Sequence, residues 1–599
     1  MTTDENGVVT TTVAVNNLDT TIKGEKTRVR ETSENSRMLI NSNNPLFLFR
    51  ISLPILSARD TLLVRTYKAI PEDVREFSAV LVNDYNPSKG TVEELFDFYD
   101  GILDKTDKEG VPAFLQIEYW NSAIDREPFT EDQLCDLLER HPSLMGFVHN
   151  ELCCEKFTQE EIDRLKNTIR ACEKYGAVLI WQEMEYKWED HINVLQLAFE
   201  DKELYDLMTN YSHNIVIQDK HNGGGRHFSV QSSAMGAWLS GACGNWGSNI
   251  EAWLWYEIGK LDYSVPNIEH DEGNYIYRYP PAVAGIDTIS DLVGGATVFS
   301  TEEINLYVST FTSVKLSETF YSVIYPIYQR ILEGAIPSKE EVIENVKVAY
   351  QFTTPKDSPM MGLESNLFID SYGMSNQWYW LFEGLGRLPK WIPTTGRYYI
   401  IPSLTKYANT TEILPNADII NVNNYQQKMS YSTTNKQEYL NSKFTQTYTG
   451  DATLYSIGGL TYIFNNNEVK SQAQTANYSL ETSGLDLSAK LSEHTYMILE
   501  ESTDTLNIEL VNLRLDSYNV CIGKQSAWSF LNSYIKGKNM DLASDFRTTE
   551  IVLKGFEKMP KINVSGNNSP TATVKYDPNS RTTTITVTSN GAVMIDVIK

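Results

Sequence analysis

The sequence predicts an α/β protein in which a (β/α)8 barrel of the TIM type is followed by an all-β sandwich. Three observations lead to this fold class. The chain has 599 residues, more than one ordinary core holds. Before residue 304, apolar runs alternate with amphipathic stretches eight times, as the strands and helices of such a barrel do. After residue 409 the pattern changes to two-residue alternation, which is typical of half-buried strands.

The eight apolar runs are mostly continuous, which favours parallel strands covered on both faces. They are PLFLFRI, FSAVLVND, VPAFLQIEYW, LMGFVHNE, AVLIWQEME, NIVIQDKHN, NIEAWLWYE and GATVFSTE. An open, doubly wound sheet is the alternative, but no GxGxxG motif follows the first run. The closed barrel is therefore the favoured architecture.

Two stretches between the runs predict amphipathic helices. In TQEEIDRLKNTIRACEKYG, Thr158 and Glu161 form a capping-box pattern, and Gly176 stands where a helix often ends on a left-handed glycine. In TVEELFDFYDGIL, apolar residues return at helical spacing on one face. We expect both helices to pack on the outside of the barrel.

The same patterns divide the chain into three parts. Residues 1–40 are rich in Thr, Asn and Glu and predict a tail or an edge strand of the β-domain. Residues 41–408 form the predicted barrel, with an elaborated segment at its end. Residues 409–599 form the predicted β-sandwich, in which the turn DPNS predicts a hairpin.

The net charge of −27 limits the possible partners. Nucleic acids and anionic membrane surfaces are bound by clustered Lys and Arg, so we expect neither as a partner. No apolar run reaches the roughly 18 residues that a membrane span needs. The amino terminus lacks the basic and apolar regions of a signal peptide.

The chain contains six cysteines, which have no CxxC spacing and are too few for a disulfide scaffold. They are Cys135, Cys153, Cys154, Cys172, Cys243 and Cys521. We expect them to be small packing residues without an obligatory disulfide.

The residues at the ends of the runs are the functional candidates, because a TIM barrel carries its site at the carboxyl ends of its strands. Many of these ends combine a carboxylate with an aromatic residue. Like charges gathered in a low-dielectric cleft repel each other, so stability alone does not explain the arrangement. Flat aromatic rings beside polar groups suit a sugar ligand. The substrate-binding candidates are Tyr85, Glu118, Tyr119, Trp120, His149, Asn150, Trp181, Glu183, Asp219, Lys220, His221, Trp246 and Trp253.

Hydrolysis of a glycosidic bond needs one protonated and one ionised carboxyl group, and such a rim supplies both without a cofactor. Glu151 is the candidate acid, because flanking apolar residues would desolvate it and raise its pKa. Glu251 and Glu302 compete for the role of base, and Asp219 is the third candidate. His149 and Asn150, which directly precede Glu151 in the sequence, could orient it.

A zinc site is the alternative chemistry, with His149, Asp219 and His221 as ligands. The chain has neither an HxH nor an HExxH motif, so we expect no metal and no other cofactor. A Ser-His-Asp triad is disfavoured because no GxSxG motif is present.

An ordered set of segments resembles glycoside hydrolase family 98. These segments are GFVHNE at residues 146–151, GNWGSNIEAWLWYE at 244–257, GATVFSTE at 295–302, WIPTTGRYYIIPSL at 391–404, and GDATLYSIGGLTYIFNNN in the C-terminal part. The likeness covers most of the chain from about residue 40 onward.

The resemblance implies a (β/α)8 catalytic barrel with a β-sandwich and an inverting, endo-acting mechanism. It implies cleavage of the internal β-1,4-galactosyl linkage of blood-group A or B glycans, of mucin or cell-surface type, with release of the terminal antigen oligosaccharide. Carried over to this sequence, Glu151 resembles the general acid, and Glu251 with Glu302 resemble the acidic pair that serves the base.

On this basis we expect an oligosaccharide or glycoconjugate substrate and a monomeric protein. We expect it to be secreted or held at a bacterial cell surface, with any signal peptide already removed. Some family members are endo-β-1,4-xylanases, and this activity is the first alternative. A non-catalytic carbohydrate-binding protein is the second. The sandwich is expected to support the barrel, with accessory carbohydrate binding as its alternative role.

Overall fold

The computed structural model describes most of the chain. The described residues are 1–19, 28–52, 59–83, 91–118, 129–150, 152, 157–183, 194–221, 227–250, 275–276, 281–301, 308–310, 314–351, 399–421, 442–444, 448–465, 473–513, 522–523 and 546–599.

Three short strands at the amino terminus belong to the sandwich. They are β1 (Thr2–Thr3), β2 (Val9–Val13) and β3 (Val15–Asn17). β2 pairs antiparallel with residues 572–576, and β3 runs parallel to residues 564–566. The weak strand pattern at the start of the sequence therefore contributes outer strands to a domain built mainly from the other end of the chain.

Eight parallel strands form a closed barrel. They are β4 (Leu46–Ser52), β5 (Ser78–Asn83), β6 (Ala113–Glu118), β7 (Leu144–Asn150), β8 (Val178–Glu183), β9 (Ile215–His221), β10 (Asn245–Ile250) and β12 (Val298–Thr301), with the two-residue strand β11 (Tyr275–Ile276) outside the barrel. The closed order is β10-β12-β4-β5-β6-β7-β8-β9. The predicted TIM barrel is confirmed.

The seventh barrel strand lies earlier in the chain than predicted. The apolar run NIEAWLWYE indicated a strand there, but β10 consists of NWGSNI and ends at Ile250. Gly247 explains this composition. A Cβ at that position would lie 2.1 Å from the carbonyl oxygen of Val298, so only glycine allows β10 and β12 to approach so closely.

The chain forms a series of helices outside the barrel, several of which begin at side-chain caps. They are α1 (Arg59–Ala69), α2 (Glu72–Arg75), α3 (Val92–Glu109), α4 (Glu131–Arg140), α5 (Gln159–Tyr175), α6 (Val194–Ala198), α7 (Lys202–Asn210), α8 (His227–Leu239) and α9 (Pro281–Val293). Thr91, Thr130 and Thr158 form capping boxes at the starts of α3, α4 and α5. The predicted pairing of Thr158 with Glu161 and the left-handed Gly176, with φ 64°, are both confirmed.

A segment after the barrel packs on its outer surface. Its elements are β13 (Val308–Thr310), β14 (Lys315–Leu316), α10 (Tyr325–Arg330) between π-helical turns at Phe320–Ile324 and Ile331–Ala335, α11 (Lys339–Asn345), β15 (Val348–Gln351), β16 (Ser403–Leu404), α12 (Thr410–Ile413) and β17 (Asp418–Asn421). β15 is the middle strand of a parallel three-stranded sheet with β16 and β17. This sheet is anchored to α8, where the Ser232 hydroxyl donates to the Ile401 carbonyl at 2.6 Å.

The sandwich contains one eight-stranded and one seven-stranded sheet. Its remaining strands are β18 (Tyr448–Gly450), β19 (Thr453–Ile457), β20 (Leu460–Asn465), β21 (Gln474–Leu480), β22 (Leu485–Leu491), β23 (Thr495–Glu501), β24 (Thr505–Val511), β26 (Arg547–Lys554), β27 (Lys561–Gly566), β28 (Thr571–Asp577), β29 (Thr582–Ser589) and β30 (Ala592–Ile598), while β25 (Ile522–Gly523) pairs with β11. The sheet orders are β1-β2-β28-β29-β26-β22-β21-β18 and β19-β20-β23-β24-β30-β27-β3. The predicted sandwich is confirmed, and the DPNS turn joins β28 to β29, whose closing pair is Asp577 with Thr582.

The barrel and the sandwich pack against each other directly. A Cβ at Gly285 of α9 would lie 2.6 Å from the ring of Tyr496 on β23, so the two elements touch there. Nearby, Arg330 of α10 pairs with Glu500 at 2.8 Å and lies 3.9 Å from the buried Glu509. Burial raises the pKa of Glu509, and the charge of Arg330 opposes that rise. The sandwich therefore reaches the barrel through apolar packing and through charge.

In the parts of the chain described above, no helix is long and apolar enough to cross a membrane. Cys135, Cys172 and Cys243 are buried free thiols. Burial raises the pKa of each of these thiols, as expected for packing residues. The other three cysteines, Cys153, Cys154 and Cys521, lie outside the described residues.

Candidate active site

The carboxyl ends of the eight barrel strands form one rim, because all eight run parallel. The last residues of these strands are Ser52, Asn83, Glu118, Asn150, Glu183, His221, Ile250 and Thr301. Four of the predicted substrate-binding residues are thus strand ends at this rim. For two of these four, Glu118 and His221, the structure describes the backbone alone.

The three catalytic candidates come directly after strand ends. Glu151 follows β7, Glu251 follows β10 and Glu302 follows β12. In sequence each is one peptide bond beyond the rim. These three glutamates lie outside the described residues, and so do the substrate-binding candidates Tyr85, Tyr119, Trp120 and Trp253.

The interior of the barrel changes from apolar to polar towards the rim. The lower layer is an apolar cluster of Leu46, Leu48, Ala79, Leu81, Phe114, Val148, Val178, Ile180, Val216 and Val298, closed from below by Met38 and Ile40. Further along the same faces of the strands lie the buried polar residues Arg50, Gln116, Asn150, Gln182, Gln218, Lys220, Asn249 and Ser300. Since side chains alternate between the two faces of a strand, these eight residues point into the barrel. We refer to these eight residues as the polar layer.

A chain of hydrogen bonds runs through the polar layer. Gln182 Nε2 donates to Gln218 Oε1 at 2.6 Å. Gln218 Nε2 donates to the Ser248 carbonyl at 2.9 Å and to Ser300 Oγ at 3.2 Å. The Ser300 hydroxyl lies 3.0 Å from Asn249 Oδ1. This chain connects side chains of β8, β9, β10 and β12 directly below the rim.

Several amide atoms of the polar layer have no hydrogen-bond partner among the described residues. They are both amide atoms of Asn150, Oε1 of Gln116, Oε1 of Gln182 and Nδ2 of Asn249. A buried polar atom without a partner costs about 1–3 kcal/mol. Amide groups can both donate to and accept from hydroxyl groups, which a sugar carries in number. The polar layer therefore suits a neutral ligand that is rich in hydroxyl groups.

His149 faces away from the barrel interior. Its Nε2 lies 2.9 Å from Thr168 Oγ1 of α5, and the side chain is 0% exposed. Burial, and secondarily the charge of Arg164, lowers the pKa of His149 to about 3. The neutral imidazole thus holds β7 against α5. His149 therefore has a structural role between β7 and α5. Its orientation does not favour the predicted contact with substrate.

Trp181 and Glu183 leave β8 on the helix-facing side. Trp181 Nε1 donates to Glu183 Oε2 at 3.1 Å, and the Phe157 ring meets the indole edge-on with centroids 6.2 Å apart. Asp219 is the register partner of Glu183 and leaves β9 on the same side. Two buried carboxyl groups, those of Glu183 and Asp219, are therefore register neighbours on β8 and β9, on the opposite side of the sheet from Gln218.

Trp246 also lies in the outer layer of the barrel. Its indole Nε1 donates to the Gly294 carbonyl at 3.2 Å, and the side chain is fully buried. Its position at the start of β10 puts it at the opposite end of the strand from the rim. The sequence therefore predicted the wrong end of this strand for Trp246, because it placed the seventh strand too late.

The structure thus divides the seven substrate-binding candidates whose side chains it describes into two groups. Asn150 and Lys220 belong to the polar layer, whereas His149, Trp181, Glu183, Asp219 and Trp246 face the helices. Within the described ranges, no group of three or more His, Cys, Asp or Glu side chains could hold a metal ion.

Sequence reasoning missed six members of the polar layer, namely Arg50, Gln116, Gln182, Gln218, Asn249 and Ser300. Gln116 stands inside an apolar stretch and Gln182 and Gln218 directly follow one, each two residues after an apolar residue on the same face of its strand. A buried strand rarely needs such a side chain for its own stability. This recurrence on three strands was a signal that the sequence offered.

Comparison with known proteins shows two family matches that together span most of the chain. The model of glycosyl hydrolase family 98 matches residues 34–337. The model of the glycosyl hydrolase family 98 C-terminal domain matches residues 339–599. One similar protein is the blood-group-substance endo-1,4-beta-galactosidase of Clostridium perfringens. It is 24% identical over 584 residues, which cover 90% of this chain and 68% of that protein.

Two similar solved structures are of the catalytic module of a family 98 glycoside hydrolase from Streptococcus pneumoniae TIGR4. One is in complex with the H-disaccharide blood group antigen and the other with the LewisY pentasaccharide blood group antigen. Each is 25% identical to this chain with a TM-score of 0.75, covering 94% of this chain and 100% of that chain.

Proposed function

Because the chain belongs to glycosyl hydrolase family 98 and is a glycoside hydrolase, we propose that it is an inverting, endo-acting enzyme of blood-group glycans. It cleaves the internal β-1,4-galactosyl linkage of blood-group A or B glycans on mucins or cell surfaces. The product is the terminal antigen oligosaccharide. Support comes from the relative named for this activity and from the similar modules bound to blood group antigens.

The observation that carries the proposal is the polar layer directly below a rim where three glutamates follow strand ends. Its amide groups offer both donors and acceptors, and several of their atoms have no partner in the described part of the chain. A sugar ring presents hydroxyl groups that need both kinds of partner. The glutamates supply the two carboxyl groups that hydrolysis of the sugar linkage requires.

The proposed mechanism gives each carboxyl group one role. Glu151 is protonated and donates its proton to the glycosidic oxygen as the leaving sugar departs. Glu251 with Glu302 provides the ionised base that activates water on the opposite face of the sugar ring. Lys220 is the register partner of Asn249. Asn249 lies two residues before Glu251 in the sequence. In the proposed mechanism Lys220 is the cation whose charge favours the ionised form of that base.

The enzyme acts outside the cytoplasm. A glycoconjugate on a mucin or on another cell cannot reach the cytoplasm, so the enzyme works as a secreted or surface-held protein. We propose that it acts as a monomer, which a polar layer built from the strands of one barrel permits.

The acid role of Glu151 is tested by Glu151→Gln, which preserves size but cannot donate the proton. Turnover of an A-type glycan should fall by about 10²–10⁴-fold, while the melting temperature stays near that of the wild type. Dinitrophenolate leaves without taking up a proton. The variant should therefore keep far more of its turnover on a dinitrophenyl glycoside of the antigen trisaccharide. The measurement is the initial rate of the wild type and of the variant on each of the two substrates.

The matched control is Glu557→Gln, which changes an exposed glutamate of the sandwich. It should behave like the wild type on both substrates. Full turnover of the glycan by Glu151→Gln would remove Glu151 from the mechanism.

A further inference from the structure

Gln218 joins strands that are not neighbours in the barrel. Its amide accepts from Gln182 on β8 and donates both to the Ser248 carbonyl on β10 and to the Ser300 hydroxyl on β12. β9, which carries Gln218, pairs with β8 and β10 but not with β12. One side chain therefore spans four strands.

Gly247 makes this reach possible. It is the register partner of Gln218 on β10 and has no side chain that could stand between Gln218 and β12. A Cβ there would lie 2.1 Å from the Val298 carbonyl oxygen. The glycine that the close approach of β10 and β12 requires thus also leaves the path from Gln218 to Ser300 open.

The hydrogen-bond chain ends beside the strand ends that lead into the three glutamates. Asn249 and Ser300 each lie two residues before one of them, Glu251 and Glu302. At the other end, Gln182 is the register partner of Asn150, which directly precedes Glu151. The chain therefore connects the strand of the proposed acid to the strands of the proposed base.

An apolar layer would fill the same space, as the layer immediately below it does. Apolar packing tolerates small shifts between strands, whereas hydrogen bonds fix distance and direction. Gln218 has both of its amide atoms bonded, at 2.6 Å, 2.9 Å and 3.2 Å, so its side chain is held from three directions. A directional network at this level constrains the spacing of the strand ends.

We propose that Gln218 is a positioning residue for hydrolysis: through its bonds to β8, β10 and β12 it sets the separation of the strand ends that carry the acid and the base. The inference rests on the proposed function, in which two carboxyl groups must stand on opposite faces of the sugar linkage. An inverting pair needs a separation of about 6.5–9.5 Å, and a shift of about 1 Å can cost 10²-fold in rate.

The test is Gln218→Met, which keeps nearly the same volume and loses all three hydrogen bonds. With an A-type glycan as substrate and below the melting temperature, kcat should fall by about 10–100-fold while KM stays within about threefold. A loss confined to kcat indicates misplaced reacting groups, because general loosening of the fold would not spare substrate affinity.

The matched control is Gln231→Met, which replaces another buried glutamine. Gln231 lies on α8 and donates to Asp291 at 2.6 Å, outside the polar layer. Gln231→Met should lower the melting temperature about as much as Gln218→Met does, and its kcat should stay within about twofold of the wild-type value. If Gln218→Met matches this control in kcat, Gln218 is merely structural and the inference is overturned.

A second variant keeps the inference falsifiable if Gln218→Met does not fold. Ser300→Ala removes only the hydroxyl that links Gln218 to Asn249. Its kcat should also fall, but by less, about 3–10-fold. An unchanged kcat in Ser300→Ala would overturn the inference. A wild-type enzyme that releases nothing from the glycan would instead overturn the proposed function, and the inference with it.

Discussion

Neighbouring residues of one strand have opposite roles in this barrel. Asn150 points into the interior, and its amide atoms have no partner among the described residues, while His149 points outward and binds Thr168. The same division separates Gln182 from Trp181 on β8. A residue at the rim therefore takes its role from the face on which it leaves the strand, as much as from its chemical type.

His149 makes stability sensitive to acid. Its pKa in the folded protein is lowered to about 3, mainly by burial, whereas the imidazole of an unfolded chain has a pKa of about 6.5. A lowered pKa means that the unfolded chain binds the proton more readily. Stability from this group is therefore complete above about pH 6.5 and is lost as the pH falls toward 3.

His149→Gln should remove part of this acid sensitivity, since the amide can bond to Thr168 but does not titrate. Thermal melts between pH 7.5 and pH 4.5 should show a smaller drop in melting temperature for the variant than for the wild type. The control is His213→Gln, because the His213 side chain is 60% exposed. Parallel curves for wild type and His149→Gln would show that the buried imidazole does not govern acid stability.

At the scale of elements, the segment of residues 28–45 closes the lower end of the barrel. Arg37 donates from Nη1 to the carbonyls of His141 and Leu144, at 2.8 Å and 3.0 Å, and from Nε to that of Tyr175 at 3.2 Å. It also binds the Leu138 carbonyl. One guanidinium thus satisfies carbonyl groups at the ends of both α4 and α5, where helices leave them unpaired.

Arg37→Met should destabilise the protein without changing catalysis. It keeps the aliphatic stem and loses the charged hydrogen bonds, so the free energy of unfolding should fall by about 2–4 kcal/mol. Denaturant unfolding measures the loss, and kcat on the glycan should remain at the wild-type value. Arg170→Met is the control, because Arg170 is 41% exposed and pairs only loosely, at 3.5 Å, with Glu203.

A fall in stability no larger than that of Arg170→Met would contradict the role given to Arg37. If Arg37→Met is fully folded in the assay and its kcat still falls, the lower end of the barrel is coupled to the rim.

Elements were predictable where local chemistry specifies them. The capping box at Thr158 and the left-handed Gly176 follow from residues close in sequence, and the structure has both. The inward face of each strand was not predictable in this way. Parallel strands are buried on both sides, so an apolar run does not indicate which side faces the interior. His149 and Asn150 could therefore not be told apart from sequence.

Contacts between distant segments were likewise not predictable from the sequence. β10 was expected later because four of its six residues are small or polar. Gly247 is required only by the close approach of Val298, about 50 residues further on. Arg37 binds carbonyl groups about 100 residues away. Such contacts depend on the closed barrel, which the local pattern does not contain.

At the scale of the whole molecule, the chain starts in the sandwich, forms the barrel and returns to the sandwich. β2 and β3 pair with strands formed more than 500 residues later. Tyr462, Tyr496 and Ile498 of the sandwich belong to the same apolar cluster as the outer layer of the barrel. Two-residue alternation predicts such strands but does not choose their partners, so this joining was not visible in the sequence.

The joined architecture gives the rim a stiff foundation. The sandwich packs on α9 and α10, and the amino-terminal segment fills the lower opening of the barrel with Met38 and Ile40. The strands whose carboxyl ends form the rim are therefore supported from outside and from below. Sites on rigid elements hold their groups at fixed distances, which an acid and base acting on opposite faces of a sugar require.

The most direct test is a digest of purified A-type and B-type glycans, read by mass spectrometry and by early-time NMR. The wild-type protein should release the intact terminal tri- or tetrasaccharide, with the new reducing end formed first as the α anomer. Glu151→Gln should release almost none. Release of single sugars only, cleavage of xylan instead of these glycans, or a first product in the β configuration would contradict the account.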